Sequence, residues 1–381
     1  MSEWKENKLG DLIVLNYGKG LKEENRIKGN VPVFSSAGKS GFHNVPLTNT
    51  GGLVIGRKGT IGKIFYSQIP FWCIDTAYYI LPNNDKYDLE FLFYFLRTLG
   101  LEELNEDSAV PGLNRNTFYS LEALFPSLPE QRNIAYILNN LDAKIDLLNR
   151  QIKTLEKLAE TLFRQWFVEE ADDKCKEVKL KDVCKTITKG TTPTTLGKNY
   201  VTSGINFLKA ESISDTGDFI ESKFAFIDNE TDKLLSRSRI QSNDVLITIA
   251  GTIGRVAIVP SRILPANTNQ AIGIVRVKKE ILNPILIYLL LKSPIIINDF
   301  ESRIVHAVQP NLSLSQIGDI SFRLPPKELL VKYSDEIELI FNKKEINNIQ
   351  IRTLTQLRDS LLPNLMKGEV KIMETLYEKN N

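Results

Sequence analysis

The sequence predicts an α+β protein built twice over. Two globular domains with curved mixed sheets are separated by two long antiparallel coiled-coil helices, in a pseudo-two-fold internal repeat. Three observations predict this. Residues Leu128 to Glu170 form a stretch with no Gly, and no Pro after Pro129. Short motifs recur in one order along the chain. Between the helical stretches lie apolar runs of strand composition, broken by turn residues.

The first helical stretch carries two apolar rows at seven-residue spacing. One is Leu138, Ile145, Ile152, Ala159 and Trp166; the other is Leu141, Leu148, Leu155 and Leu162. Rows three and four residues apart are the a/d seam of a coiled coil. Charged residues such as Lys144, Arg150, Lys153, Glu156, Lys157 and Glu160 fill other positions. Pro129 and Glu130 suit a first turn, where a missing N–H costs little and a carboxylate meets the positive dipole end. About 38 residues would span about 57 Å, longer than an ordinary domain is wide. A spacer helix is therefore expected rather than a core helix.

The repeat is legible in four pairs. Residues 5–12 return at 176–183, an offset of 171; Gly59-Thr60-Ile61-Gly62-Lys63 returns as Gly251-Thr252-Ile253-Gly254-Arg255, an offset of 192. Leu128-Pro129 returns as Leu324-Pro325, and Ile152-Lys153-Thr154-Leu155 as Ile351-Arg352-Thr353-Leu354, at offsets 196 and 199. A growing offset places insertions in the second globular part. The expected organisation is a first domain over 1–127, a spacer helix over 128–170, a second domain over 171–323, and a second helix with a tail over 324–381. Runs 52–56 and 244–249 read as strands, and 89–98 and 284–293 as short apolar helices. The second long helix, about 326–367, has Lys344, Asn347 and Arg358 on the seam beside Ile351, Leu354 and Leu361. Pro363 predicts a kink or break. Two-fold pairing of the repeats makes the helices antiparallel.

Composition narrows the function classes. No run of eighteen apolar residues exists, so no membrane span is expected. The start lacks a basic-then-apolar signal, and Cys73, Cys175 and Cys184 are odd in number and scattered, so a cytoplasmic protein without a disulfide framework is expected. Net charge is +2, so a nucleic-acid partner would require charge gathered on one face. Gly38-Lys39-Ser40 lacks the upstream glycine of a phosphate-binding loop and reads as an ordinary loop. His43 and His306, with the cysteines, make no metal set of recognisable spacing. Glu177-Val178-Lys179 and Glu369-Val370-Lys371 are half of a nuclease signature and read as exposed strand or tail. No catalytic residue or metal ligand is expected.

The repeated Gly-Thr-Ile-Gly-Lys/Arg turn is the candidate binding element. Its glycines allow a tight bend and close approach of another backbone. Thr60 with Lys63, and Thr252 with Arg255, put a hydroxyl and a cation beside that bend. Arg57 and Lys58 add charge to the first copy, and Lys209 is a further basic candidate in the second domain. Such groups dominate protein–DNA contacts; the alternative is a hairpin with solvated charges.

Three features resemble the specificity subunits of type I restriction–modification systems. Leu128-Pro129-Glu130-Gln131-Arg132 opens a long helix that closes with Leu162-Phe163-Arg164-Gln165-Trp166-Phe167. The second helix ends Leu361-Leu362-Pro363-Asn364-Leu365-Met366-Lys367-Gly368-Glu369-Val370-Lys371-Ile372. Domain and helix alternate twice. The resemblance covers nearly the whole chain, although the second helix opens Leu324-Pro325-Pro326-Lys327-Glu328, without the Glu-Gln pair. It implies a non-catalytic DNA reader in which each domain is a target-recognition domain for half of a split target in double-stranded DNA. The helices would set the gap and dock modification subunits, two in number, with restriction (translocase/nuclease) subunits completing the complex. S-adenosylmethionine, ATP and Mg would then belong to partner subunits and no cofactor to this chain. The rival expectations are a coiled-coil scaffold without a DNA role and a fused methyltransferase or endonuclease.

Overall fold

The computed structural model describes residues 4–104, 112–171, 173–305 and 311–370. The chain divides into two compact units. One joins residues 1–149 to 348–381; the other is residues 150–347. The division does not fall where globular domain meets helix, because each unit takes part of both long helices.

In the first unit the chain runs β1 (Lys5–Lys8), α1 (Leu9–Leu12), β2 (Asn16–Tyr17), β3 (Val31–Ser35), β4 (Gly38–His43), β5 (Gly52–Gly56), β6 (Ile64–Ser67), β7 (Trp72–Cys73) and β8 (Ala77–Ile80). Helices α2 (Leu89–Leu96) and α3 (Arg115–Ser120), strand β9 (Glu122–Phe125) and the long helix α4 (Leu128–Arg164) follow. The strands form an antiparallel sheet β2-β8-β5-β6, a mixed sheet β4-β3-β7 and a ribbon β1-β9. Strand β5 is buried throughout, as its run of Leu53, Val54 and Ile55 requires of a central strand. Asp88 caps α2 by accepting from the Phe91 N–H at 2.9 Å. Ser40 lies in β4 and not in a loop.

The second unit repeats this order with β10 (Lys176–Lys179), α5 (Leu180–Val183), β11 (Cys184–Lys189), β12 (Ile205–Leu208), β13 (Ala225–Ile227), α6 (Asn229–Leu234), β14 (Val245–Thr248), β15 (Val256–Ile258), β16 (Ala266–Thr268) and β17 (Ile272–Val277). Then come α7 (Pro284–Lys292), α8 (Pro294–Val305), α9 (Leu314–Gly318), β18 (Ser321–Leu324) and the second long helix α10 (Lys327–Met366). Its sheets, β11-β17-β14-β15, β13-β12-β16 and β10-β18, copy the first set, including the parallel pairing of β12 with β16. The insertion expected from the growing offset includes α6 and the loops around it.

All residues of both predicted seam rows are buried or half-buried, Leu148 at 1% exposure among them. Within the first unit, Leu361, Leu362, Leu365 and Met366 of α10 join the core of Ile134, Ala135 and Leu138 of α4. Arg358 Nη1 reaches Asp142 Oδ1 at 2.7 Å. Within the second unit, Asn347 donates to Gln151 Oε1 at 3.1 Å, Lys344 Nζ meets Glu156 Oε1 at 2.5 Å, and Trp166 stacks on Tyr333 at 4.2 Å. Partner numbers fall on one helix as they rise on the other, so pairing is antiparallel in each unit. The polar seam residues of α10 thus each have a polar partner on α4.

The helix does not break at Pro363. It runs on to Met366, and the Lys367 N–H still reaches the Pro363 carbonyl at 3.1 Å. Pro363 lies in the last turn, where one lost bond is a small fraction of what the buried Leu365 and Met366 return.

Lys344 and Glu156 are mostly buried, so each depends on the other. Glu156→Ala should destabilise the protein by about 2–3 kcal/mol, since it strands an ammonium on an apolar seam. Lys344→Met with Glu156→Leu should recover most of that loss. Urea unfolding of the two variants beside wild type checks both statements; a Glu156→Ala variant as stable as wild type would remove the pair from the seam.

Candidate nucleic-acid interface

Each Gly-Thr-Ile-Gly run forms the turn between two strands of the four-stranded sheet, β5 to β6 in the first domain and β14 to β15 in the second. The two turns share their bonds. The Gly56 N–H donates to the Lys63 carbonyl at 2.9 Å and the Gly62 N–H to the Gly56 carbonyl at 2.9 Å; Thr248 with Arg255, and Gly254 with Thr248, repeat both at 2.9 Å. Gly62 has φ of 70°, and a Cβ there would lie 2.4 Å from the Glu102 nitrogen and the Leu101 carbonyl carbon, so no other residue fits.

A second set of bonds ties each turn to the helix that follows the domain's sheets. The Leu113 N–H donates to the Arg57 carbonyl at 2.9 Å, and Lys58 bridges to Gly112. In the second domain the Leu312 N–H donates to the Ile249 carbonyl at 2.9 Å, and Ala250 bridges to Asn311. Hence Arg57 corresponds to Ile249, Lys58 to Ala250, and Arg115, just after the α3 cap Asn114, to Leu314, just after the α9 cap Ser313. Strand register adds two more pairs: Tyr17 with Lys189, and Tyr78 with Gly273.

On this common backbone the first domain gathers cations and rings. The Arg57 guanidinium lies 4.8 Å from the Tyr17 ring and 5.5 Å from Tyr78, and Arg115 lies 5.1 Å from Tyr17 and 5.8 Å from Tyr119. Tyr17 is 48% exposed, and Lys58 is exposed. The Arg57 and Lys58 N–H groups both donate to the Thr76 carbonyl at 3.0 Å, so the backbone under them is held. Burial and then Tyr17 raise the Tyr78 hydroxyl above the usual tyrosine range, while Arg57 pulls it down. Its hydroxyl stays protonated and lies 3.2 Å from the Leu113 carbonyl.

The predicted residues are therefore placed unequally. Arg57, Lys58, Thr60 and Lys63 belong to one turn, with Lys63 exposed and its side chain in no bond among the described residues. Thr252 is exposed, and its carbonyl accepts from the Thr248 hydroxyl. Arg255 instead holds a loop of its own domain: Nη1 donates to the Ile213 carbonyl at 2.8 Å and Nη2 pairs with Asp215 at 2.5 Å. Lys209 caps the Tyr200 ring at 4.7 Å. Sequence reading missed Tyr17, Tyr78 and Arg115. Tyr17 and Arg115 are 98 positions apart in sequence, and no spacing rule joins them.

The nuclease-like fragments lead elsewhere. Lys179 and Lys181 both pair with Asp319, at 3.2 and 2.8 Å, across the junction of β10 and β18. Lys371 lies outside the described residues, as do His306 and Ile372. Lys39, of the phosphate-loop fragment, caps the Phe42 ring at 4.2 Å. Among the described residues no group of three His, Cys, Asp or Glu could hold a metal ion.

The model of the type I restriction modification DNA specificity domain matches residues 1–157 and again 172–356. The chain belongs to this family. Among curated relatives, it is 27% identical over 357 residues to the type I restriction enzyme MjaIX specificity subunit of Methanocaldococcus jannaschii, covering 85% of this chain and 78% of that one. It is 25% identical over 359 residues to the EcoBI specificity subunit of Escherichia coli, covering 84% and 73%. A solved S subunit of a type I restriction–modification system from M. genitalium has the same fold, with a TM-score of 0.65 at 18% identity over 96% of each chain.

The two turn cations should behave differently when removed. Lys63→Ala should leave the melting temperature unchanged. Arg255→Ala should cost about 1 kcal/mol by freeing the Ile213 carbonyl and Asp215, a drop of about 2–4 °C for a unit of this size. Differential scanning calorimetry separates them, and equal melting temperatures would deny Arg255 its structural role.

Proposed function

We propose that the chain is the DNA-recognition component of a type I restriction–modification complex, without chemistry of its own. Each globular domain reads one half of a bipartite target in double-stranded DNA. The observation that carries this reading is one scaffold built twice with different side chains on its turns. Identical scaffolds provide two comparable docking geometries. Different side chains provide two different half-sites, since base edges are read by side chains while backbone geometry positions them. Family membership and the names of the relatives support the same reading.

The two long helices set the separation of the half-sites. Helix α4 has 37 residues and α10 has 40, about 55–60 Å at 1.5 Å per residue. Modification subunits, two per complex, dock on the helices and domains and bring S-adenosylmethionine; restriction subunits bring ATP, Mg and the nuclease. The complex works in the cytoplasm. Among the described residues no helix is long and apolar enough to cross a membrane.

Adding seven residues to each helix tests the spacing. Insertion after Asn149 and after Asn347 keeps the seam in phase and lengthens each helix by about 10 Å. The gap in the target should widen by roughly three base pairs at about 3.4 Å each. The half-site sequences should stay the same. Methylome sequencing of a host expressing the variant with its modification subunit reads both. An unchanged gap at full activity would show that the helices do not set it.

A further inference from the structure

We infer that Arg57, braced by Tyr17 and seconded by Arg115, is the guanine-reading contact of the first domain. This rests on the DNA-reading function proposed above and assigns part of it to one patch.

Three observations converge. First, two guanidiniums lie against one exposed ring, and among the described residues neither ion-pairs with a carboxylate. Like charges brought together without an acid repel each other, and a polyanion relieves that cost. An acidic partner protein could relieve it too, but the geometry favours a base edge. The Arg57 guanidinium lies over the Tyr17 ring and its Nη1 donates to the Asp75 carbonyl at 3.4 Å, so its N–H groups are oriented before the ligand arrives. A bidentate arginine is the commonest contact to the O6 and N7 of guanine in the major groove.

Second, the brace is rigid. The Arg57 backbone is fixed on both sides, through its N–H to the Thr76 carbonyl and its carbonyl to the Leu113 N–H. Tyr119 accepts from the Leu15 N–H at 2.9 Å, which ties α3, the carrier of Arg115, to the strand segment leading into Tyr17. Positions far apart in sequence are thereby held in one constellation.

Third, the second domain keeps the scaffold and discards the patch. Its equivalents are Lys189 for Tyr17, Ile249 for Arg57, Ala250 for Lys58 and Leu314 for Arg115. The fold therefore does not need these side chains. A structural role would have kept them in both copies; a reading role that differs between half-sites would not.

The comparison also supplies the test, because the second domain shows what the scaffold tolerates. The variant Arg57→Ile with Arg115→Leu installs residues that these backbone positions already carry. The full chain is assembled with its modification subunit. The probes are a duplex bearing the complete methylated target and duplexes altered one base pair at a time in either half. The wild-type complex must first prefer its target over unrelated duplex; absence of that preference is failure of the DNA-reading function itself. The variant should bind the full target roughly 5- to 100-fold more weakly. It should also cease to discriminate at one or two G·C pairs of one half-site, with the other half read as before. Arg57→Lys, which keeps the charge and loses the fork, should lose discrimination with a smaller loss of affinity.

Unchanged affinity and specificity overturn the inference. So does a uniform loss across all duplexes with a shallower salt dependence, which marks phosphate contact only. Failure to assemble with the modification subunit, with the chain folded, marks a protein-docking patch and overturns it as well.

Discussion

Each globular core is closed by the far end of a helix that belongs to the other repeat. The last turns of α10 bury Leu365 and Met366 in the core of the first unit, among Ile134, Ala135 and Leu138. Phe163, in the last turn of α4, and Trp166 and Phe167, in the helical turn that follows it, are buried in the core of the second unit. Residues 162–167 and 361–366 are the same positions of the repeat, Leu162 matching Leu361 and Trp166 matching Leu365. Antiparallel pairing is therefore required for either core to be complete. It is not an ornament added to two finished domains. At about 25 cal/mol per Å² of apolar surface removed from water, these buried ends are worth several kcal/mol to each unit.

An apolar seam alone would leave register loosely specified, since a slip of one heptad keeps it apolar. Polar residues on α10 remove that freedom. Lys344, Asn347 and Arg358 each bond a residue of α4, Glu156, Gln151 and Asp142 in turn. A slip would strand all three in apolar surroundings. Asp142 is bound further, its Oδ2 lying 2.7 Å from the Tyr94 hydroxyl of α2, so register on the seam is coupled to the domain. The opening motif of α4 acts at the same junction. Gln131 is buried and accepts from the Asp88 N–H at 2.8 Å while donating to the Pro126 carbonyl at 3.0 Å; Trp4 donates to Glu130 at 3.2 Å. The second repeat has Pro326 and Lys327 in place of Glu130 and Gln131, so its junction is made differently, with the Trp166–Tyr333 stack inside the same core.

Much of this was legible in sequence because it is periodic. The seam follows from seven-residue spacing, and the duplication from four motifs in order. Strands β5 and β14 and helices α2 and α7 lie where apolar runs place them. Propensity alone predicts an interruption at Pro363, and the buried Leu365 and Met366 outweigh it. The patch around Tyr17 was not legible for a different reason. Its members come from β2, the β5–β6 turn, β8 and α3, and only folding brings them together. The turn motif shared by both domains singles out Lys63 and Arg255, yet Arg255 is spent on Ile213 and Asp215. Recurrence marks the scaffold, whereas the side chains of the Tyr17 patch differ between the copies.

That division of labour has a physical basis. The residues held in common are those whose backbone meets backbone. A Cβ on Gly18 would lie 2.0 Å from the Ile74 carbonyl oxygen, and one on Gly190, its counterpart, 2.0 Å from the Thr268 carbonyl oxygen. Both N–H groups serve the same sheet position, reaching Ala77 and Ile272. Between and beside these fixed points, positions 17, 57 and 115 carry side chains that the second domain replaces with Lys189, Ile249 and Leu314 on the same backbone, so the fold does not require them. Substitutions at such sites are nearly neutral for stability. Where a side chain is also a clamp, as Arg255 is, that freedom is lost, and the same turn becomes a structural element in one domain and an open surface in the other.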